Sequence, residues 1–442
     1  MLMIMKTPKT FTIVTFGCQM NKSDSELMEV SLTQEGFVKS HPYADIIIFN
    51  TCSVRKHAED RAIAHIIEAR SSHKQSIIVV AGCMAQRLRQ ELRTTYGVDL
   101  VVGPYHSPAI GSIIKNYIQN KDIREYTSQD VNDFASRIHP QLVTHKDELP
   151  WHKWVTISHG CENYCAYCIV PYVRGKLISF PSQQIIDFCK LLIDNGITEI
   201  TLLGQNVNQY GQDSGDIPFY SLLEKIATLS GLYKLNFLTS HPKDFNKEIL
   251  LVMKDNPVIA KSIHLPLQSG SDTILQAMNR QYTMKHYYSI IEEIHKLLPM
   301  SSISTDLIVG FPGETQKDFE DTLAAVHTIQ FDEAFTYKYS PREGTHAYTL
   351  PDSVPDTVKQ ERLDMLIQTV REISQKRLMN HIHTTTDMIV ERISKKSDNE
   401  VMGKTIYNHP IIIKGGKDDI GKKFTVTIVS LKGSTLYGER SA

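Results

Sequence analysis

The run Trp154-Val155-Thr156-Ile157 leads through Ser158-His159-Gly160 into Cys161-Glu162-Asn163-Tyr164-Cys165-Ala166-Tyr167-Cys168. A short strand pattern thus delivers three cysteines spaced C-x3-C-x2-C. Three thiolates bind three irons of a four-iron cube and leave the fourth iron open to a non-protein ligand. A zinc site would show two C-x2-C pairs or added histidines at close spacing, and neither follows. Five more strand patterns come downstream: Glu199 to Gly204, Lys234 to Leu238, Ser262 to Leu265, Ser304 to Val309 and Ala334 to Lys338. They alternate with helical patterns such as His286 to Leu298 and Thr315 to Ile329, so the six strands predict a parallel sheet.

Working outward toward the start of the chain, three scattered cysteines share one local setting. Thr12 to Phe16 leads to Gly17-Cys18, Asp45 to Phe49 to Asn50-Thr51-Cys52, and Ser76 to Val80 to Ala81-Gly82-Cys83. Each run is β-branched and uninterrupted, as suits a strand buried on both faces. Helical patterns, Ser25 to Leu32 and Ala58 to Arg70, lie between them, and a fourth run ends at Val102. Spacings of 34 and 31 residues match a strand–helix repeat. This predicts an open parallel sheet with each cysteine just past a strand's carboxyl end, the edge where ligands of such sheets collect. Three thiols there read as ligands of a second iron–sulfur cluster; zinc, for which no fourth protein ligand is obvious, and three unrelated buried thiols are the alternatives. Cys189 sits on the apolar stripe Ile185 to Leu192 and reads as core.

Composition agrees with a multi-domain globular chain: 442 residues, 41% hydrophobic, 22% charged and 8% aromatic. Those proportions exclude a disordered, collagenous or small disulfide-linked protein. No apolar run reaches membrane-helix length, and Met1 to Met5 lacks the charge and length of a secretory signal. The expectation is a cytoplasmic protein with no membrane partner. Forty-eight basic residues against forty-nine acidic give a net charge of −1, so any nucleic-acid contact needs a local patch. Residues 124–150 are polar, carry Pro140 and Pro150, and read as a linker.

The C-x3-C-x-aromatic-C stretch resembles the radical S-adenosylmethionine superfamily, and the two cysteine sets together resemble its methylthiotransferases. Ordered motifs extend the resemblance along nearly the whole chain. They include Thr15 to Asn21, Asn50 to Arg55, Cys168 to Gly175, Leu203 to Asn208, Thr239-Ser240-His241-Pro242, His264 to Ser271, Gly310 to Glu314 and Tyr339 to Thr345. Two positions depart from the usual pattern: His159, where an acidic residue is usual, and Phe180, where an arginine is. Each puts a polar contact near the cluster or substrate in doubt.

What the resemblance implies is specific. The fold would be α/β: an N-terminal open parallel sheet (9–123), a central partial (β/α)6 radical-SAM barrel (147–376) and a small all-β C-terminal module (379–442). Two [4Fe–4S] clusters would sit on Cys161, Cys165 and Cys168 and on Cys18, Cys52 and Cys83. The first, with S-adenosyl-L-methionine, would generate a radical that takes hydrogen from carbon 2 of an isopentenylated adenosine beside the tRNA anticodon; the second would deliver sulfur. Tyr167 and the strand-end residues Gln205, Ser240, His264, Gln268 and Asp306 would hold S-adenosylmethionine or substrate, against the alternative of barrel-interior hydrogen bonds. Partners would be tRNA, an electron donor such as flavodoxin or ferredoxin, and a sulfur or iron–sulfur supply system. Sister enzymes act on threonylcarbamoyl-adenosine or a ribosomal-protein aspartate. An iron–sulfur carrier with an RNA-binding tail would need no open iron, whereas each set here supplies three thiolates.

After a helical pattern from Pro355 to about Asn380, the period changes to two at Thr386 to Glu391, Ile411 to Ile413 and Phe424 to Val429, with glycines between. This predicts a small five-stranded barrel, and it resembles the TRAM RNA-binding module. From His381 onward ten Lys/Arg stand against seven acids. Lysines beside Tyr407, Phe424 and Tyr437 suit a surface that tracks a backbone and stacks bases; the alternative is a solvated face.

Overall fold

Buried strands need covers on both faces, and the N-terminal strands receive them. The computed structural model describes residues 9–441 except 42–43, 55, 121–122, 129–141 and 143–148. It divides into two units, the first comprising Met1–His145, Ser158–Glu162 and Cys168–Phe180. The second comprises Lys146–Ile157, Asn163–Tyr167 and Pro181–Ala442.

In the first unit, β1 (Thr10–Thr15), β2 (Val38–Lys39), β3 (Ile46–Thr51), β4 (Ile77–Gly82), β5 (Leu100–Val102) and β6 (Glu125–Tyr126) form one sheet in the order β2-β1-β3-β4-β5-β6. Every pairing is parallel. All six residues of β3 are buried. Alternation sends Ile46, Ile48, Val79 and Leu100 into one core with Met28 and Leu32 of α1 (Gln19–Gln34) and Ile110 and Ile114 of α5 (Ile110–Asn120). Ile47, Phe49, Ile78 and Val101 enter the opposite core with Ala62 and Ile66 of α2 (Lys56–Ser72), Met84 of α3 (Cys83–Leu88) and Leu92 of α4 (Gln90–Tyr96). Each such aliphatic side chain gains about 1.5–3 kcal/mol on leaving water. The order 2-1-3-4-5 is a doubly wound one, with its direction reversing between β1 and β3.

The linker reading of 124–150 needs correction at its start. Glu125 and Tyr126 pair with β5, and Gly103 N–H donates to the Tyr126 carbonyl at 2.7 Å. Two residues satisfy the open edge of β5 but are too few to carry a periodicity. Most of the remaining linker lies outside the described residues. The first unit also holds the antiparallel pair β8 (Ser158–His159) and β9 (Ile178–Ser179), with α6 (Val170–Arg174) between them in sequence.

The second unit contains the six parallel strands expected for the central region: β7 (His152–Thr156), β10 (Glu199–Leu203), β11 (Lys234–Phe237), β12 (Ser262–His264), β13 (Ser302–Val309) and β14 (Glu333–Lys338). They form two three-stranded sheets, β7-β10-β11 and β12-β13-β14. A single parallel bridge, Leu235 to Ile259, continues the order between the two halves. The intervening helices are α7 (Ser182–Asp194), α8 (Phe219–Ala227), α9 (Lys247–Asp255), α10 (Asp272–Ala277), α11 (Met284–Leu297) and α12 (Gln316–Ile329). Side chains of Asn246, Ser271, Thr283 and Thr315 cap four of them, Thr315 in a reciprocal box with Asp318. This is the partial (β/α)6 barrel.

Helix α13 (Asp356–Met379) leads to a closed barrel of β15 (Thr385–Ser394), β16 (Ser397–Thr405), β17 (Pro410–Lys414), β18 (Lys423–Lys432) and β19 (Thr435–Arg440), in the order β15-β16-β17-β19-β18. Val390, Val401, Ile411, Ile413, Val426, Ile428 and Leu436 fill it. Strand β16, Ser-Asp-Asn-Glu-Val-Met-Gly-Lys-Thr, is polar at most positions and gives no two-residue signal of its own. Pairing on both sides is what makes it a strand.

Cys189 is fully buried on α7, and desolvation pushes its thiol up to about 12. It is inert core. Cys189→Ala is expected to leave the iron content of the reconstituted protein unchanged and to cost about 1 kcal/mol in urea unfolding, since it removes one buried atom.

Candidate functional site: two cysteine sets and their buried arginines

The first set meets where the sheet order reverses. Cys18 caps α1 three residues past β1, Cys52 directly follows β3, and Cys83 opens α3 directly after β4. Cys18 is exposed, whereas Cys52 and Cys83 are each 2% exposed, so the cluster of thiols opens outward on one side. Gly17 lets the backbone approach: a Cβ there would lie 2.4 Å from Cys52 Cβ and 3.2 Å from its Sγ, and φ is +115°. The space beside the thiols therefore admits no side chain from residue 17. A hydrogen bond with Cys52 pulls the Cys18 thiol down to about 6, with the Arg174 cation helping, while the same bond and burial push Cys52 up. Burial raises Cys83. Three thiols that influence one another, one poised to ionise first, form a donor set that suits an iron–sulfur cluster.

Arg174, at the end of α6, is a residue to which sequence reasoning gave no role. Its Nε donates to Cys83 Sγ at 3.2 Å, and Nη2 donates to Asp24 Oδ2 at 2.7 Å and Asn21 Oδ1 at 3.1 Å. Burial opposes its charge, but Cys83, Asp24 and Cys18 more than compensate, so the guanidinium stays ionised. Its Nη1 lies 3.0 Å from His159 Nε2. A guanidinium only donates, so His159 Nε2 accepts and the ring proton sits on Nδ1. The His159 departure thus keeps a hydrogen-bond acceptor for Arg174 but gives up a carboxylate. Phe180, where an arginine is usual, is 1% exposed and takes part in the core as an apolar side chain.

Of the C-x3-C-x2-C stretch, Cys161 and Cys168 belong to the first unit and Cys165 to the second. Cys161 N–H donates to the Gly175 carbonyl at 3.1 Å. Cys165 is buried, and Arg280 Nη1 donates to its Sγ at 3.3 Å and to Tyr167 Oη at 3.4 Å. Arg280 Nη2 is anchored on the Pro266 carbonyl at 2.7 Å. His241 Nε2 lies 3.8 Å from Cys165 Sγ, and burial, then Arg280 and Lys243, hold this imidazole neutral at about 2.

The five expected strand-end residues fare differently, and Asp306 lies inside β13 rather than at its end. His264 is hydrogen-bonded within the barrel, Nδ1 with Ser304 Oγ at 3.0 Å and Nε2 with Asp306 Oδ2 at 3.3 Å. Ser240 Oγ and Gln268 Oε1 are buried and have no hydrogen-bond partner among the described residues. Gln268 holds φ at +73°, an uncommon backbone state for glutamine. Unpaired buried polar atoms on such a backbone are what a polar ligand would satisfy. Gln205, half-buried, lies two residues past β10. Arg280, Arg174, His241 and Asp24 were missed because a buried charged partner leaves no periodic signature. The motif positions of Arg174 and His241 were the only hints.

Residues 10–103 match the Uncharacterized protein family UPF0004, and residues 155–326 match the Radical SAM superfamily. The radical S-adenosylmethionine methyltransferase TsrM from Kitasatospora setae shares the fold, with a TM-score of 0.55 at 12% identity over 74% of this chain and 72% of that one. The class is therefore that of a radical SAM protein carrying an added N-terminal parallel-sheet domain. A tRNA-2-methylthio-N(6)-dimethylallyladenosine synthase of Clostridium botulinum (strain Okra / Type B1) is 40% identical over 97% of this chain and 96% of that protein. One of Caldicellulosiruptor saccharolyticus is 40% identical over 98% and 92%. The chain belongs to the tRNA-2-methylthio-N(6)-dimethylallyladenosine synthase family.

Two outcomes are expected here. In the metal-free chain, Cys18 should be carboxymethylated ahead of Cys52, Cys83 and Cys189, at a rate that levels off above pH about 6, as peptide mass spectrometry would show. Asp24→Ala strands the Arg174 cation and should destabilise the protein by about 3–5 kcal/mol in urea unfolding.

Proposed function

We propose that this chain transfers a methylthio group to carbon 2 of N6-isopentenyladenosine beside the anticodon of tRNA, at position 37, as a radical S-adenosylmethionine enzyme. The observation that carries this is identity of 40% sustained over 97% of the chain with a relative named for that product. Cys161, Cys165 and Cys168 hold one [4Fe–4S] cluster, and Cys18, Cys52 and Cys83 hold the other. When bound, the first cluster with S-adenosyl-L-methionine supplies the radical chemistry at an inert carbon, and the second supplies sulfur at an open iron.

The chain's own residues bind, orient and screen. Arg280 donates to Cys165 Sγ and fixes its position, and His241 Nε2 lies 3.8 Å from the same sulfur. Arg174 does the same for Cys83 and fixes the α6 end by its ties to Asp24 and Asn21. Tyr167, Gln205, Ser240, His264, Gln268 and Asp306 hold S-adenosylmethionine or substrate, with the unpaired Ser240 Oγ and Gln268 Oε1 as the strongest support. The His264 ring spends both nitrogens on Ser304 and Asp306, so Asp306 is the member of this pair that would accept a hydrogen bond from a bound adenosine.

Residues 9–123, 147–376 and 379–442 serve as cluster-bearing, radical-generating and RNA-binding domains. The C-terminal barrel presents cations over rings, Lys432 Nζ 4.7 Å from the Tyr437 centroid and Arg440 Cζ 4.1 Å from that of Phe424. Such pairs suit a polyanion with stacked bases. A flavodoxin or ferredoxin supplies electrons, and an iron–sulfur supply system restores sulfur, in the cytoplasm. Among the described residues no helix is long and apolar enough to cross a membrane.

Mass spectrometry of tRNA nucleosides from cells lacking the protein tests the reading: the 2-methylthio nucleoside should vanish and its isopentenyl precursor accumulate. Replacing Cys18, Cys52 and Cys83 with Ala should leave 5′-deoxyadenosine release intact but yield no methylthio product. Replacing Cys161, Cys165 and Cys168 should abolish both. Either triple variant should halve the iron of reconstituted protein, from about eight to about four per chain. Methylthiolated tRNA from the first variant, or efficient modification of a ribosomal protein, would overturn the assignment.

A further inference from the structure

The second unit holds another group of ligating side chains, apart from both cysteine sets. Asp332 lies just before β14, His381 just after α13, and His409 in the turn between β16 and β17. All three are buried, and one ligating atom from each lies within 4.8 Å of the other two. The imidazoles of His381 and His409 meet at 71° with centroids 4.6 Å apart.

What singles the group out is unmet bonding capacity. His409 is 6% exposed, and neither of its ring nitrogens has a hydrogen-bond partner among the described residues; nor has Nδ1 of His381. Buried ring nitrogens are rarely left this way. Asp332 is placed to complete the set. Its Oδ2 accepts from Ile303 N–H at 2.8 Å and Arg377 Nη2 at 3.0 Å, which uses both lone pairs. Its Oδ1 accepts only Arg377 Nε at 3.2 Å and stands 3.7 Å from His409 Nε2, so one lone pair remains on the histidine side. Arg377 thereby orients the carboxylate without saturating it. Burial lowers the pKa of His381 and takes that of His409 down to about 4, so both rings are neutral, the form that ligates.

We propose that Asp332 Oδ1 and one ring nitrogen each of His381 and His409 bind a divalent ion of the zinc class. Two imidazoles and a carboxylate with one further position form a donor set that zinc accepts, whereas calcium and magnesium prefer oxygen alone. Asp332 and His409 line a cavity of about 490 Å³ with Ser302 and Tyr407, which has room for water as the fourth ligand. The ion joins three segments: the start of β14, the end of α13 and a turn of the C-terminal barrel. That turn is already seated on the core, since Lys261 N–H donates to the Ile406 carbonyl at 2.8 Å and Ser302 Oγ–H to that of Tyr407 at 2.6 Å. The ion would fasten the barrel to the core within this unit, with the water-filled fourth position facing the cavity.

The full chain, with its iron reconstituted so that the cysteines are occupied, is exposed to zinc chloride and desalted. About one zinc per chain should remain, and its K-edge absorption should show nitrogen and oxygen neighbours without sulfur. His409→Gln and His381→Gln should each cut retained zinc at least tenfold while iron content and far-ultraviolet dichroism stay unchanged. Equal zinc in wild type and both variants, no retained zinc in wild type, or a sulfur-containing shell would each overturn the proposal. Should a variant misfold, the wild-type absorption spectrum alone decides.

Discussion

Strands in a parallel sheet share one direction, so each delivers its carboxyl end, and whatever residue follows, to the same edge. Both halves of this protein exploit that constraint. In the N-terminal sheet it gathers Cys18, Cys52 and Cys83 from strands β1, β3 and β4 although they lie 34 and 31 residues apart. In the central barrel it places Gln205 and Ser240 past the ends of β10 and β11, His264 at the end of β12 and Gln268 beyond it. In the N-terminal sheet, helices on both faces make this possible, because they satisfy the apolar strands and leave only the edge free for chemistry. Strand order reverses between β1 and β3, and Cys18 and Cys52 follow those two strands.

A second theme is the buried guanidinium beside a thiol. Arg174 meets Cys83 and Arg280 meets Cys165, each arginine held from behind: Arg174 by Asp24 and Asn21, Arg280 by the Pro266 carbonyl and Tyr282. A cation so placed is costly to desolvate and is retained only where partners answer its charge. In return, it stabilises anionic sulfur in a medium where charge is weakly screened. The two arginines therefore stand as charged donors beside two of the candidate cluster cysteines. The histidine at position 159 fits this view, since it keeps an acceptor for Arg174 without adding a second negative charge to Asp24.

Much of this organisation was legible in the residues. Ile46 to Phe49 read as a strand buried on both faces, as β3 is, and the spacing of Cys161, Cys165 and Cys168 is the one a three-thiolate cluster would need. The polar β16 and the two-residue β6 were not legible, because their structure comes from neighbours that complete a ladder rather than from any pattern of their own. Buried charges escaped for a related reason: Asp24, Arg280 and Asp332 look like surface residues in a linear sequence, and only long-range pairing makes them interior.

The sequence by itself determined the periodicities, hence the strand–helix repeats and the final barrel, and it placed six cysteines at the spacings and strand ends that cluster chemistry needs. These are local properties, set by side-chain shape and hydrogen bonding within a few residues. The tertiary structure decided which strands are neighbours, so that β1 and β3 flank the reversal in strand order. It also decided which charges are interior and which polar atoms, from Gln268 to His409, are left unpaired. Those depend on residues tens to hundreds of positions apart meeting in a medium without water, and no local pattern encodes such a meeting.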